Sequence, residues 1–226
     1  QNFMQAAAFA GQSMRDYCLD GVEMAEAHIT TWQHFRHDMI DLENGVTALA
    51  QAVGCTVEIY DDKTPPWVTK PALESLEQID RLKPIDPYQD GTLPEMLKAT
   101  RLLAQELGSH VFLLAEADQG PFSLAAQIVG IEEFLMALVI PEKKELVQRL
   151  LAYTTQQVIT YGRALIEAGA QVTMMGESLA GPDVCSPKTY REFGAPYEAQ
   201  VVEALRAEGK PIGLHICGNA TRIIEP

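Results

Sequence analysis

The sequence predicts an α/β fold in which parallel strands form a sheet and helices pack outside it. Short apolar runs typical of strands alternate with longer segments of helical periodicity along the chain. The 226 residues are 47% hydrophobic and 21% charged, the composition of a globular domain with a buried core. No linker, low-complexity tract or short repeat interrupts the pattern. We therefore expect one domain over residues 1–226.

The N-terminal half alternates helices with strands. Runs of apolar residues predict strands over 38–42, 55–60 and 110–115. Recurrence at every third or fourth position predicts helices over 13–35, 46–53 and 93–107, with a loop and a short helix over 73–87. Gly54 and Gly108 end two of these helices, and Pro65-Pro66 breaks the chain after the second strand.

The C-terminal half continues the same rhythm. Helices are predicted over 124–129, 131–139, 142–168 and 187–208, and strands over 171–175 and 211–216. Five strands are fewer than the eight of a closed (β/α)8 barrel, which typically takes about 250 residues. The sequence also stops at Ile223-Ile-Glu-Pro226, where another helix should begin. We expect a segment of a longer protein, lacking C-terminal strands and an N-terminal portion.

Charge and cysteine content limit the classes of partner. A formal net charge of -14 without a basic patch argues against nucleic acid and against an anionic membrane. No apolar run approaches the roughly 18 residues of a membrane span, and the start lacks a signal-peptide layout. The four cysteines show no paired spacing, which favours reduced thiols. We expect a cytoplasmic protein; the sequence does not indicate its oligomeric state.

The last predicted strand carries the most informative pair of residues. His215 and Cys217 lie two positions apart, and alternation along a strand places both side chains on one face. An imidazole and a thiolate together form half of a zinc site. Alternatively, His215 is a hydrogen-bonded barrel residue and Cys217 a small buried hydrophobe.

Polar residues follow each predicted strand. Because parallel strands end at one edge of a sheet, we expect these residues at a common site suited to metal-assisted chemistry on a small substrate. They are Glu43 and Asn44, Asp61 and Asp62, Glu116, Asp118 and Gln119, Glu177 and Ser178, and His215, Cys217 and Asn219. Helix capping or a solvated loop is the alternative for Asp61, Asp62 and Asp118. Glu177, directly after an apolar strand, could complete a zinc shell or orient a ligand.

Several motifs together resemble the uroporphyrinogen decarboxylase superfamily. The resemblance runs from about Asp38 to the end of the chain. Its motifs are Ala117-Asp-Gln-Gly-Pro-Phe-Ser-Leu-Ala125 with Gly130, Glu177-Ser178, Cys185-Ser-Pro-Lys-Thr-Tyr-Arg-Glu-Phe193, Pro196-Tyr197 and Leu214-His-Ile-Cys-Gly-Asn219. The resemblance implies a (β/α)8 barrel, present here as an incomplete segment.

The two branches of this superfamily differ at residues visible in the sequence. In porphyrinogen decarboxylases an Asp stands at the position of about Gly45, and an arginine-rich N-terminal segment holds substrate carboxylates; both are absent here. The zinc-dependent methyltransferases of corrinoid systems instead carry His-x-Cys on a late strand and a further Cys near the C-terminus. His215 and Cys217 match the first two ligands. The third is expected beyond Pro226, with Cys185 as the alternative inside this sequence.

The resemblance therefore implies a zinc-dependent methyltransferase. It would move a methyl group between a corrinoid, carried by a partner protein or bound as a co-substrate, and a small thiol acceptor or methylated donor. Glu177 is then a fourth zinc ligand or an orienting residue, and Asn219 a hydrogen-bonding residue for the substrate. The alternatives are a porphyrinogen decarboxylase and a non-catalytic barrel that binds a corrinoid partner.

Overall fold

Four parallel strands form the central sheet in the computed structural model, which describes residues 3–224. The strands in chain order are β1 (Met39–Leu42), β2 (Thr56–Glu58), β3 (Trp67–Lys70), β4 (Phe112–Gln119), β5 (Val172–Gly176) and β6 (Ile212–His215). The parallel sheet has the order β1-β4-β5-β6. The predicted α/β fold with a parallel sheet is confirmed.

The strand predicted over residues 55–60 is present as β2, but its expected place in the parallel sheet is wrong. β2 instead pairs antiparallel with β3, an unpredicted strand, in a separate two-stranded sheet with a register shift between Thr56 and Val57. Strands of a parallel sheet are buried on both faces and need nearly continuous apolar residues. Thr56 and Glu58 are polar and exposed, which suits a hairpin on the surface.

Eleven helices lie in the described residues and pack against the sheet and one another. They are α1 (Phe3–Ala10), α2 (Met14–Leu19), α3 (Gly21–Phe35), α4 (Ala48–Ala52), α5 (Leu93–Leu107), α6 (Pro121–Val129), α7 (Ile131–Ala137), α8 (Lys144–Ala168), α9 (Pro187–Thr189), α10 (Ala195–Arg206) and α11 (Thr221–Ile224). Short 3₁₀ turns cover Leu76–Arg81, Pro141–Lys143 and Ser178–Ala180. In the part of the chain that the structure describes, no helix combines the length and hydrophobicity that crossing a membrane would require.

Two helices predicted as continuous are broken. Within residues 13–35, Asp20 has extended backbone angles, and its side chain accepts a hydrogen bond from the Val22 N–H at the start of α3. An aspartate satisfies a helix N-terminus better than a helix interior, so the chain restarts there. Within residues 187–208, a π-helical turn (Tyr190–Gly194) precedes Pro196 in the first turn of α10. Proline has no N–H to donate, which favours a new helix start.

The two faces of the parallel sheet differ in exposure. Strand alternation and the register place Leu42, Ala115 and Thr173 on the face packed by α5 and α8, where all three are fully buried. The opposite face, called the inner face below, carries Asp41, Glu43, Leu114, Glu116, Met174, Gly176, Gly213 and His215. Most of its side chains are partly or fully exposed. The inner face is therefore the one that α5 and α8 leave uncovered.

Candidate metal and carboxylate site

The imidazole of His215 and the thiol of Cys217 meet at the end of β6. The strand ends at His215 and the chain turns at Gly218, which has a φ of 81°. His215 Nε2 lies 3.3 Å from Cys217 Sγ, and both residues are exposed. Alternation along the strand thus places the two groups together, as the sequence predicts.

The pair fits half of a zinc site. Zinc bonds of about 2.0 Å to nitrogen and about 2.3 Å to sulfur, at a tetrahedral angle, separate the two ligand atoms by roughly 3.5 Å. The observed 3.3 Å is close to that separation. Within residues 3–224 no group of three or more His, Cys, Asp or Glu residues could hold a metal ion. The zinc site itself stays a prediction.

Cys185 has an environment unlike that of a metal ligand. Its side chain is buried, and its thiol donates a hydrogen bond to the carbonyl oxygen of Ala180 at 3.1 Å. Burial, followed by the nearby charges of Glu198 and Glu177, raises the pKa of the thiol to about 11. A metal ligand must be a thiolate, so these surroundings disfavour Cys185 as the missing ligand.

Glu177 is fully buried at the N-terminus of α6. Its Oε1 accepts a hydrogen bond from the Phe122 N–H and its Oε2 from the Ser123 N–H, both at 2.9 Å. Burial and the charge of Glu198 raise the pKa of the carboxyl to about 8, while these N–H donors oppose the shift. Both oxygens are thus already engaged, which supports an orienting role over that of a fourth ligand.

The segment after Glu177 connects α6 to the His215 and Cys217 pair. The Glu177 N–H donates to the carbonyl oxygen of His215 at 2.7 Å. Ser178 Oγ lies 3.3 Å from Cys217 Sγ, and the Leu179 N–H donates to Ser123 Oγ at 3.2 Å. The helix terminus, this segment and both candidate ligands therefore form one connected network.

The close approach of Gly120 to Glu177 leads to a stability prediction. A Cβ on Gly120 would lie 2.5 Å from Glu177 Oε1, and the carboxylate is fully buried and held by two N–H donors. We expect Gly120→Ala to lower the free energy of unfolding by about 1–3 kcal/mol, the usual cost of overpacking. Urea denaturation measures it. In the double variant with Glu177→Ala the clash is gone, so the two losses should be less than additive; full additivity would contradict the predicted contact.

Asn219 caps the last described helix. Its Oδ1 accepts hydrogen bonds from the N–H and the hydroxyl of Thr221, at 3.2 and 2.6 Å. The residue is exposed and lies two positions after Cys217. Its amide oxygen is engaged in this cap, so a contact with substrate stays a prediction.

A carboxylate cluster occupies the inner face at the ends of β1 and β4. Glu116 shares hydrogen bonds with Glu43 and with Asp41. Burial raises the pKa of Glu43 and of Glu116, and repulsion from the neighbouring carboxylates raises both further. The shared hydrogen bonds and mutual repulsion imply that this cluster retains a proton near neutral pH.

Asp118 and Asn44 have structural roles beside this cluster. Asp118 Oδ2 accepts a hydrogen bond from the Leu49 N–H in the first turn of α4, at 2.8 Å. The capping interpretation of Asp118 is therefore confirmed. Burial nevertheless raises the pKa of Asp118 to about 6. Asn44 is buried and donates to the hydroxyl of Thr92 at 3.3 Å.

Asp61 and Asp62 lie in an exposed loop, so the solvated-loop alternative is confirmed for them and their expected place at this site is wrong. They follow the hairpin strand β2 and not a strand of the parallel sheet. Asp61 forms an exposed ion pair with Arg15 at 2.6 Å, and Asp62 accepts a hydrogen bond from the Thr64 N–H. Asp41, in contrast, was not among the predicted site residues. Its period-two spacing from Glu43, inside an apolar strand, is the signal that identifies it.

Comparison with known proteins gives the chain its family. A family model described as uroporphyrinogen decarboxylase (URO-D) matches residues 3–226. The chain belongs to the uroporphyrinogen decarboxylase family. The resemblance seen in the sequence motifs is thus confirmed.

Relatives within this family come from both of its branches. A methylcobamide:CoM methyltransferase of Methanosarcina barkeri is 26% identical over 202 residues, covering 89% of this chain and 57% of the relative. One from Methanosarcina mazei is 30% identical, covering 78% of this chain and 50% of the relative. A uroporphyrinogen decarboxylase of Prochlorococcus marinus is 30% identical, covering 84% and 53%. The chain spans about half the length of these relatives.

A solved structure supports the fold. A methyltransferase from Methanosarcina mazei superposes with a TM-score of 0.88 at 24% identity, covering 99% of this chain and 64% of that one. At this identity the likeness concerns the fold alone. The expected fold, an incomplete segment of a barrel with four parallel strands among the described residues, is confirmed.

Proposed function

We propose that the protein is a zinc-dependent methyltransferase that moves a methyl group between a corrinoid and a small substrate. The observation that carries this proposal is the pairing of His215 Nε2 with Cys217 Sγ at 3.3 Å, exposed on the inner face. The relatives named as methylcobamide:CoM methyltransferases support it.

The residues of this chain would hold and orient the reacting groups. His215 and Cys217 would bind zinc, and Ser178 would hydrogen-bond the Cys217 sulfur. Glu177 would act as a positioning residue, because its N–H fixes the His215 carbonyl and its carboxylate fixes α6. Asn219 would offer its amide to the substrate. Zinc at this position would act as a Lewis acid on a substrate thiol or methylated donor.

The remaining parts of the site would come from outside the described residues. We propose that a third zinc ligand lies beyond Pro226, because His215 and Cys217 supply only two of the ligands that a zinc ion requires. A corrinoid protein, or a corrinoid bound as co-substrate, would supply the cobalt that carries the methyl group. The proposed location is the cytoplasm, which suits the four free cysteines.

One position in the chain, Gly45, argues against the decarboxylase alternative. Gly45, where that branch has an aspartate, has a φ of 92°, and a Cβ there would lie 2.6 Å from Pro66 Cδ. The backbone therefore excludes a carboxylate side chain at this position without rearrangement. The 30% identity to a uroporphyrinogen decarboxylase keeps this alternative as the competing hypothesis.

Zinc content tests the proposal directly. The complete protein, purified without oxygen, is expected to contain about one zinc per chain, and His215→Ala or Cys217→Ala should remove at least about nine-tenths of it, because each takes away a protein ligand. Elemental analysis of dialysed protein measures the content.

A cysteine outside the pair provides the matched control. Cys185→Ala should retain the zinc, because Cys185 is buried and hydrogen-bonded to Ala180. Circular dichroism spectra must show that all three variants are folded. Unchanged zinc in the His215 and Cys217 variants, or no zinc in the parent protein, would refute the proposal and favour the decarboxylase.

A further inference from the structure

We propose that the inner face binds a small molecule whose non-reacting end is an ammonium group. The inference rests on the proposed function for the reacting end of the substrate, which would lie at His215 and Cys217. It adds a selectivity for the charge of the substrate's other end, which comes from residues of β1 and β4 on the inner face.

Two buried oxygen atoms on the inner face have no hydrogen-bond donor. Gln119 is 8% exposed, and its Oε1 is buried without a partner. Asp41 Oδ1 is likewise buried without a partner. A buried acceptor left without a donor costs free energy, so native structures nearly always pair such atoms with protein, water or ligand. These two oxygens therefore indicate a donor that is absent from the protein itself.

The unpartnered oxygen of Gln119 points over the strand next to the candidate zinc ligands. In the register of the sheet, Gly176 pairs with Gln119 on one side and with His215 on the other. A Cβ on Gly176 would lie 3.6 Å from Gln119 Oε1, so this oxygen lies above the glycine on the inner face. Adjacent strands are about 4.8 Å apart. A small molecule could thus contact both Gln119 and the His215 and Cys217 pair.

Carboxylates dominate the charge around these acceptors. Asp41, Glu43 and Glu116 are linked by hydrogen bonds on this face, and no lysine or arginine occurs in β1, β4, β5 or β6. Among the described residues, the basic one that follows Cys217 most closely in sequence is Arg222, an exposed residue of α11. A cation at Gln119 Oε1 would therefore face these carboxylates without a lysine or arginine from the four strands.

An ammonium group fits this arrangement chemically. It has three N–H donors and no acceptor, so it can donate to Gln119 Oε1 while its positive charge is attracted by the carboxylate cluster. A sulfonate or carboxylate has only acceptors and would be repelled by the cluster. The face therefore favours a substrate of the opposite charge to coenzyme M, which ends in a sulfonate.

Two thiols of equal length provide the test. 2-Aminoethanethiol and 2-mercaptoethanesulfonate share the thiol and the two-carbon spacer, and differ in the charged end. Calorimetric titration of the complete zinc-loaded protein, anaerobically and with reductant, is expected to show roughly tenfold tighter binding of the aminothiol. Gln119→Ala and Asp41→Asn should each reduce this preference about threefold or more, and Arg222→Ala should leave it unchanged.

A second pair of probes separates this inference from the proposed function. Ethylammonium and ethanesulfonate have no thiol, so their binding is independent of zinc and can be measured by nuclear magnetic resonance titration on protein with or without metal. Preference for ethylammonium that is lost in Gln119→Ala supports the inference even if zinc is absent. Two results would overturn the inference. One is tighter binding of ethanesulfonate or 2-mercaptoethanesulfonate, particularly if Arg222→Ala abolishes it; the other is binding of neither charged probe. Both results leave the zinc test unaffected.

Discussion

Glu177→Ala is expected to lower the free energy of unfolding by about 3–5 kcal/mol at pH 7. The change removes both acceptors of the Phe122 and Ser123 N–H groups, which are buried at the start of α6. Each buried donor without a partner costs about 1–3 kcal/mol, and the lost side chain also leaves a cavity. Urea denaturation of the complete protein, followed by circular dichroism, measures the loss.

Glu177→Gln tests the positioning role separately from the stability. The glutamine keeps the volume and one acceptor, so the expected destabilisation is smaller, about 1–2 kcal/mol. Zinc affinity should nevertheless fall about tenfold, because the glutamine NH2 opposes one of the two N–H donors of α6 and displaces the segment that contacts His215 and Cys217. The control Glu203→Gln changes an exposed residue of α10 and should alter neither quantity. If Glu177→Gln and Glu203→Gln bind zinc equally well, Glu177 contributes to stability and not to the position of the zinc ligands.

The sequence predicts the parallel sheet well because each of its strands is mostly apolar and followed by a helix. Strands of this type are buried on both faces, so their hydrophobicity is visible without knowledge of the partners. Residues 55–60 show the limit of that reasoning. Their length and β-branched content suit any strand, and only the pairing with Trp67–Lys70 distinguishes a surface hairpin from the central sheet.

The site is predictable where spacing alone determines geometry. His215 and Cys217 are two residues apart on one strand, so local alternation suffices to bring them together. The role of Glu177 depends on contacts between distant parts of the chain. Its position after a strand indicates the mouth of a barrel, whereas its hydrogen bonds to Phe122 and Ser123 depend on how α6 meets β5. Sequence spacing contains no information on that packing.

The Glu198 carboxylate is a second group whose contacts cannot be predicted from sequence spacing. It lies on α10, 21 positions after Glu177, and no motif connects the two. In the structure the charge of Glu198 raises the pKa of Glu177, and Glu198 Oε2 accepts a hydrogen bond from the Tyr190 hydroxyl. Glu198 Oε1 is buried without a partner. The carboxyl groups of Glu177 and Glu198 therefore approach each other in the protein interior, away from solvent.

This pair leads to the second large effect, a loss of stability as the pH rises. Burial raises the pKa of Glu198 to about 7, and burial with the Glu198 charge raises that of Glu177 to about 8. In the unfolded chain both carboxyls ionise at the ordinary glutamate pKa of about 4.3. Between about pH 4.3 and 8 the folded protein thus holds protons that the unfolded chain has lost.

The free energy of unfolding should therefore decrease through that range. The contribution of the pair is fully present below about pH 4.3 and falls by up to roughly 1.4 kcal/mol per pH unit for each proton that only the folded protein holds. Urea denaturation at pH 6, 7 and 8 measures the slope. The carboxylate cluster on the inner face also lowers the free energy of unfolding as the pH rises, because the pKa values of Glu43 and Glu116 are raised too.

Glu198→Gln isolates the contribution of the pair. Glutamine keeps an oxygen that accepts the Tyr190 hydroxyl and removes the charge that raises the pKa of Glu177. The decrease in stability between pH 6 and pH 8 should become smaller by about 1–2 kcal/mol, because one titrating group is gone and the other ionises at lower pH. Glu203→Gln, on the same helix but exposed, should leave the slope as it is in the parent protein. A slope that Glu198→Gln does not change would mean that Glu198 ionises at its ordinary pKa in the folded protein.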